Sequence, residues 1–139
     1  MSFLRCHVMR ANALYLGAAS TAALHADVLG AAFGLGPLAP VFSAVPHAAI
    51  GMLEAHGLAL IVAVLFWRAA PAPQWHGAAL AVHLLLGSAN LAFWPLFGAA
   101  GMVGVGVVTT VLHGVFALLQ AYALYETFYL RSTALRAAH

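Results

Sequence analysis

The chain has no lysine, a single cysteine and few charges of either sign: five arginines and three acids in 139 residues. Each shortage removes a class of function. The arginines are scattered at positions 5, 10, 68, 131 and 136, so no basic patch of the kind nucleic-acid phosphates need can form, despite a formal charge of +2 and a pI near 9.1. Cys6 has no partner for an internal disulfide, and an inert thiol is the reading preferred to a metal or redox role. Cys-x-x-Cys, Cys-x-x-Cys-His and His-Glu-x-x-His are all missing, which leaves no local zinc, redox or haem-attachment motif. There is no Gly-x-Ser-x-Gly elbow, and Gly34-Leu35-Gly36-Pro37 lacks the lysine and preceding strand of a phosphate cradle. Charged residues make up 6% of the chain, against roughly 25% in ordinary globular proteins, and this excludes a soluble domain.

What remains is apolar: 65% of residues are hydrophobic and mean hydropathy is +0.99. A membrane span needs about 20 such residues. Four stretches qualify, at 11–35, 46–67, 75–97 and 101–130, separated by breaks too short to hold a further domain. The expected fold is all-α, a single transmembrane domain over 1–139 built as a four-helix bundle with short loops. Arg5 and Arg10 precede span one, Arg68 follows span two, and Arg131 and Arg136 follow span four, while the other two loops carry no charge. The positive-inside rule then puts both termini and the 68–74 loop in the cytoplasm, with a bacterial inner membrane as the expected location. Apolarity runs on through Phe33, beyond a usual signal-peptide core, so a retained helix is expected.

Each span carries a histidine near its middle: His25, His56, His83 and His113. A polar ring at that depth needs a partner and has no water to supply one. Positions seven apart share a helix face. Span three sets His76, His83 and Asn90 on one line; span four sets Gly106, His113, Gln120 and Thr127 on another; span two sets His47, Glu54, Ile61 and Arg68 on a third. These lines are expected to face inward, bringing Glu54, His83, Asn90, His113 and Gln120 together. His56 then points away from Glu54, toward a second pocket or a neighbouring copy, and the same conflict separates His25 from Asp27. Gly98, Gly101, Gly104 and Gly106 are expected to permit close helix approach. An acid near mid-span costs roughly 2.5–3.5 kcal/mol on insertion scales, which marks Glu54 and Asp27 as candidate functional groups. Tyr122 and Tyr125 suit interfacial anchoring better than a pocket, and Trp94-Pro95 ends or kinks span three.

Three functional readings follow from these residues. Imidazoles on different helices can hold a b-type haem; with carboxylates they can bind a metal directly; without any metal they can relay protons in a transporter. The candidate catalytic residues are Asp27, Glu54, Asn90 and His113. Candidate cofactor ligands are His47, His56 and His83, and a directly bound metal would take His56, His83 and His113. The favoured reading is a small membrane enzyme acting on a lipophilic molecule, with isomerisation as its most specific form. The alternatives are a proton-coupled transporter or channel using Asp27, Glu54, His83 and His113, and an accessory subunit of a larger membrane complex. Expected partners are the bilayer, a lipophilic substrate and further copies of the chain.

The stretch from His47 through Trp67, with His56-Gly57 ahead of its apolar run, and the segment Gly87-Ser88-Ala89-Asn90-Leu91-Ala92-Phe93 resemble the small four-helix membrane isomerases and mutases. That group includes styrene oxide isomerase and hydroxylaminobenzene mutase. The similarity covers about a third of the chain; His56-Gly57 stands where an asparagine-glycine pair is expected, and Glu54 has no counterpart. The resemblance implies an oligomer with haem b between subunits, His47 or His56 as iron ligand, and Asn90 orienting the substrate.

Overall fold

A computed structural model describes residues 3–137, with side chains through Tyr129. Arg131, Arg136 and His139 lie outside the described side chains. The described residues form six helices and no strand: α1 (Phe3–Phe33), α2 (Ala39–Ala44), α3 (Ala48–Arg68), α4 (Pro73–Ala92), α5 (Trp94–Ala99) and α6 (Val103–Ala137). Local chemistry sets several boundaries. Prolines occupy the first turn of α2, α4 and α5, where a missing N–H costs nothing. Gly34, at φ 65°, takes the left-handed conformation that terminates α1, and Gly101, at φ 64°, makes the turn into α6.

Three helices, α1, α3 and the Val103–Tyr129 part of α6, are long and apolar enough to cross a membrane. By that measure α4 falls short of the fourth expected span, because its Gln74, His76, His83 and Asn90 lower its hydropathy. The third stretch is also divided. α4 stops at Ala92 and α5 begins at Trp94, because Pro95 brings no N–H to the Leu91 carbonyl and its ring crowds that carbonyl. The break between the first two spans holds α2, whose Phe42 is buried across Gly30; a Cβ on Gly30 would stand 3.0 Å from that ring.

α1 packs along α3 and α4 along α6, with α1 also touching α6. One apolar core joins Met9, Ala13 and Leu16 of α1 to Ala63 and Phe66 of α3 and Ala79 of α4. A second, at the opposite end, gathers Leu38, Phe42 and Ala49 beneath α2. The Arg10 guanidinium lies 4.8 Å above the Trp67 ring, so the start of α1 meets the end of α3 and the two run antiparallel. Arg5 bonds to Thr127, which likewise sets the start of α1 against the far end of α6.

The face that α3 presents differs from the expected one. His47, Glu54, Ile61 and Arg68 are exposed along the whole heptad line. Packing is decided instead by Ala49, Ala63 and Phe66, all buried, with Ala63 3.6 Å from where a Cβ on Gly17 would sit. Small side chains allow backbones to close, and that gain outweighs the burial of a polar row. The glycine expectation narrows similarly. Gly106 lies under the Phe97 ring, 2.7 Å from the position of a Cβ, whereas Gly98 and Gly104 have nothing within 4 Å. The close α4–α6 approach occurs at Gly87, where a Cβ would stand 3.3 Å from that of His113.

Candidate functional site

Polar side chains gather at two places, an internal column between α1, α4 and α6 and a pair between α1 and α3. The column follows the helix register. Each step of seven along α4, through His76, His83 and Asn90, is answered by a step back along α6, through Gln120, His113 and the turn holding Gly106 and Thr109. Three layers result, about 10 Å apart by helical rise.

In the central layer His83 Nε2–H donates to Asn12 Oδ1 at 2.5 Å. With the amide oxygen facing the ring, Nε2 carries the proton, and the neutral ring's Nδ1 is an acceptor. It takes the Nδ1–H of His113 at 2.9 Å. Tyr15 and Phe116 stack 5.1 Å apart, and Phe116 lies nearly parallel to His83 at 5.2 Å, so aromatic faces fix the ring pair. Asn12, His83 and His113 are all buried. In the next layer Asn90 Nδ2–H donates to Thr109 Oγ1 at 3.1 Å, and Tyr15 donates its hydroxyl to the Thr109 carbonyl at 3.3 Å.

At the other end His76 Nδ1–H donates to Gln120 Oε1 at 2.5 Å, and Arg5 donates to Thr127 Oγ1. His76 Nε2, Gln120 Nε2, Arg5 Nε and Glu126 Oε2 are buried without a partner among the described residues. Two donors and two acceptors of this kind match the bonding capacity of internal water.

The α1–α3 pair is built differently. His56 Nδ1–H donates to Asp27 Oδ2 at 2.6 Å; Asp27 is fully buried, while 31% of the His56 side chain is exposed. His56 Nε2 has no partner among the described residues. A carboxylate that fixes one ring nitrogen sets the tautomer and leaves the other as a directed lone pair, the arrangement of oriented bases and of metal-ligating histidines. Along the outer crease of α1 and α3 runs an apolar groove of about 390 Å³, lined by Leu14, Gly17, Thr21, Leu60, Val64 and Trp67 among others. Its Thr21–Leu60 end lies one helical turn from His56.

The expected residues therefore divide. His83, His113 and Gln120 meet inside as anticipated, with Asn90 one layer away. Asp27 is the inward member of its pair with His25, which is exposed. Glu54, expected in the centre, lies outside on α3, and His56, expected outside, turns toward α1. His47 is exposed at the start of α3. The direct metal set is not assembled, since His56 belongs to the α1–α3 pair and His83 and His113 to the column. No group of three histidine, cysteine or acid side chains suited to a metal converges among the described residues. Tyr122 and Tyr125 are exposed and line no part of either site.

Asn12, Tyr15, Thr109 and Glu126 escaped the sequence reading. A signal existed for the first: Arg5 and Asn12 stand seven apart, as do Ser20 and Asp27, so the inward face of α1 is marked by the same rule as α4 and α6. Comparison with protein-family models, with curated proteins and with solved structures finds no match for this chain.

Proposed function

We propose that the protein is a small membrane enzyme in which the Asp27–His56 pair moves a proton on a lipophilic molecule held in the α1–α3 groove. The observation that carries this reading is the 2.6 Å contact between a fully buried carboxylate and a ring whose second nitrogen is unpartnered and partly exposed. Asp27 holds the ring with Nδ1 protonated and stabilises the imidazolium that forms when Nε2 accepts a proton. The groove supports the substrate class: its volume lies at the lower end of the roughly 300–1,000 Å³ of small-molecule sites, and its lining is apolar except for Thr21. Isomerisation fits this equipment, because the proton removed returns to another atom of the same molecule and no co-reactant is consumed. The likeness of 47–67 and 87–93 to the small membrane isomerases and mutases points the same way.

All four long helices cross the bilayer in this reading, α4 shielded by its polar contacts to α1 and α6. The end bearing Arg5, Arg10 and Arg68 is cytoplasmic. If haem or a metal is part of the site, His56 Nε2 is the residue suited to hold it, with Asp27 fixing the ring behind it; the remaining ligands would come from another copy. Such a group would take the Nε2 lone pair and supply Lewis-acid activation in place of the imidazole base.

The test is turnover of aryl epoxides and arylhydroxylamines by the detergent-purified protein, scored as a rearranged product of unchanged mass. Wild type should convert at least one class, and Asp27→Asn and His56→Gln should each lose about 10²–10⁴-fold. Equal rates in all three would refute the reading.

A second reading, proton-coupled transport, draws on the His83–His113 contact. It predicts pH-dependent flux in proteoliposomes that His113→Phe abolishes and His56→Gln spares.

A further inference from the structure

Glu54 sits in the wrong solvent. It is exposed on α3 with no partner among the described residues, and Ile50, Leu58 and Ile61 around it are each more than half exposed. This is a lipid-facing surface, and an ionisable group there is costly unless paired. His25 has the same problem on α1: it is exposed, unpartnered among the described residues, and close to Val28, which is also exposed.

The two lie at similar depth. The Asp27–His56 contact sets residue 27 of α1 against residue 56 of the antiparallel α3. Glu54 is then level with residue 29, four residues from His25, an offset of about 6 Å along the helix axis that two such side chains can span. Within one chain they do not meet, since Glu54 points directly away from the α1 contact.

We infer that the α3 pole around Glu54 is a contact between copies of this chain, Glu54 of one copy pairing with the partner's His25. The acid and the imidazole are complementary and sit at matching depth in any copy with the same membrane orientation. The surface between them is stepped with small residues, Ala22, Gly51 and Ala55, all exposed, and a side chain at Gly51 would meet nothing within 4 Å. Small residues are what close helix approach in a bilayer requires. Glu54 faces away from α1, and His25, two residues from the α3-facing Asp27, faces away from α3, so the pairing joins two different surfaces and is heterologous, closing as a ring.

Glu54 faces the opposite side of α3 from the His56 ring, so this contact stands apart from the proposed substrate groove and does not depend on it.

The experiment uses the full chain in nanodiscs on a Cys6→Ser background. Two differently tagged populations, one carrying His25→Cys and the other Glu54→Cys, are co-expressed and treated with a short bis-methanethiosulfonate reagent that spans the axial offset. A mixed-tag cross-link should dominate. Its absence, or a product consisting mainly of Glu54→Cys self-pairs, would overturn the proposal. Native mass spectrometry of Glu54→Leu adds a check on folding: loss of the wild-type oligomer with helical content and melting preserved is expected. A monomeric wild type, or an oligomer that survives Glu54→Leu, overturns the pairing. Neither readout involves turnover, so a failed Asp27–His56 chemistry would leave the contact standing, and the reverse.

Discussion

Asp27 and His56 meet across the α1–α3 interface at 2.6 Å, one wholly buried and the other with about a third of its side chain exposed. The pair consists of a shielded acid behind a ring that reaches the surface of the bundle. Replacing Asp27 by Asn keeps the shape but removes the acceptor charge. The expected result is a folded protein whose His56 no longer holds a fixed Nδ1–H tautomer. Nitrogen-15 NMR of histidine-labelled protein checks this: wild type should show Nδ1 protonated and Nε2 free, and Asp27→Asn should show a mixture.

The same measurement reads the internal column. Asn12 turns its amide oxygen toward His83, so His83 should be the Nε2–H tautomer, while His113 and His76 should carry their protons on Nδ1. Three assignments of two opposite kinds in one spectrum give this prediction little room to succeed by chance.

Removing one member of a buried hydrogen-bonded pair strands the other. Asn12→Leu should therefore cost about 1–3 kcal/mol through the orphaned His83 Nε2–H. His83→Phe should cost a comparable amount, and the double variant less than the sum, with a coupling of about 0.5–3 kcal/mol. Denaturation in mixed micelles measures all three.

Gly106 and Gly104 separate packing from propensity. A methyl at Gly106 meets the Phe97 ring at 2.7 Å, whereas a methyl at Gly104 meets nothing. Gly106→Ala should destabilise by about 1–3 kcal/mol, with Phe97→Leu restoring part of the loss. Gly104→Ala should be neutral or slightly stabilising, since alanine is the better helix former. Thermal melting of the three variants decides the point.

The polar column was legible in the sequence because two independent patterns agree on it. His76, His83 and Asn90 repeat every seven residues on one segment, and Gly106, His113 and Gln120 do so on another; their register then follows from antiparallel packing. α3 misled for a physical reason. Its heptad line of His47, Glu54, Ile61 and Arg68 is as regular, but burial on α3 follows the small residues that let α1 approach, and polarity has no say in that. α2 was hidden because Leu38, Val41, Phe42 and Val45 are interleaved with prolines in a short break, and the partner of Phe42, Gly30, shows no side chain to betray the contact. The choice between His25 and Asp27 needed the position of α3, which supplies His56 as the partner of one and not the other.

The most direct test of the central claim needs no substrate. Phenacyl bromide, a lipophilic alkylating agent, reacts with a free imidazole nitrogen and expels bromide; peptide mass spectrometry then locates the adduct. In nanodisc-embedded protein, His56 should be modified ahead of His25 and His47, although both of those are exposed, and Asp27→Asn should remove that advantage. Modification of His25 or His47 first, with His56 inert in wild type, would contradict the account.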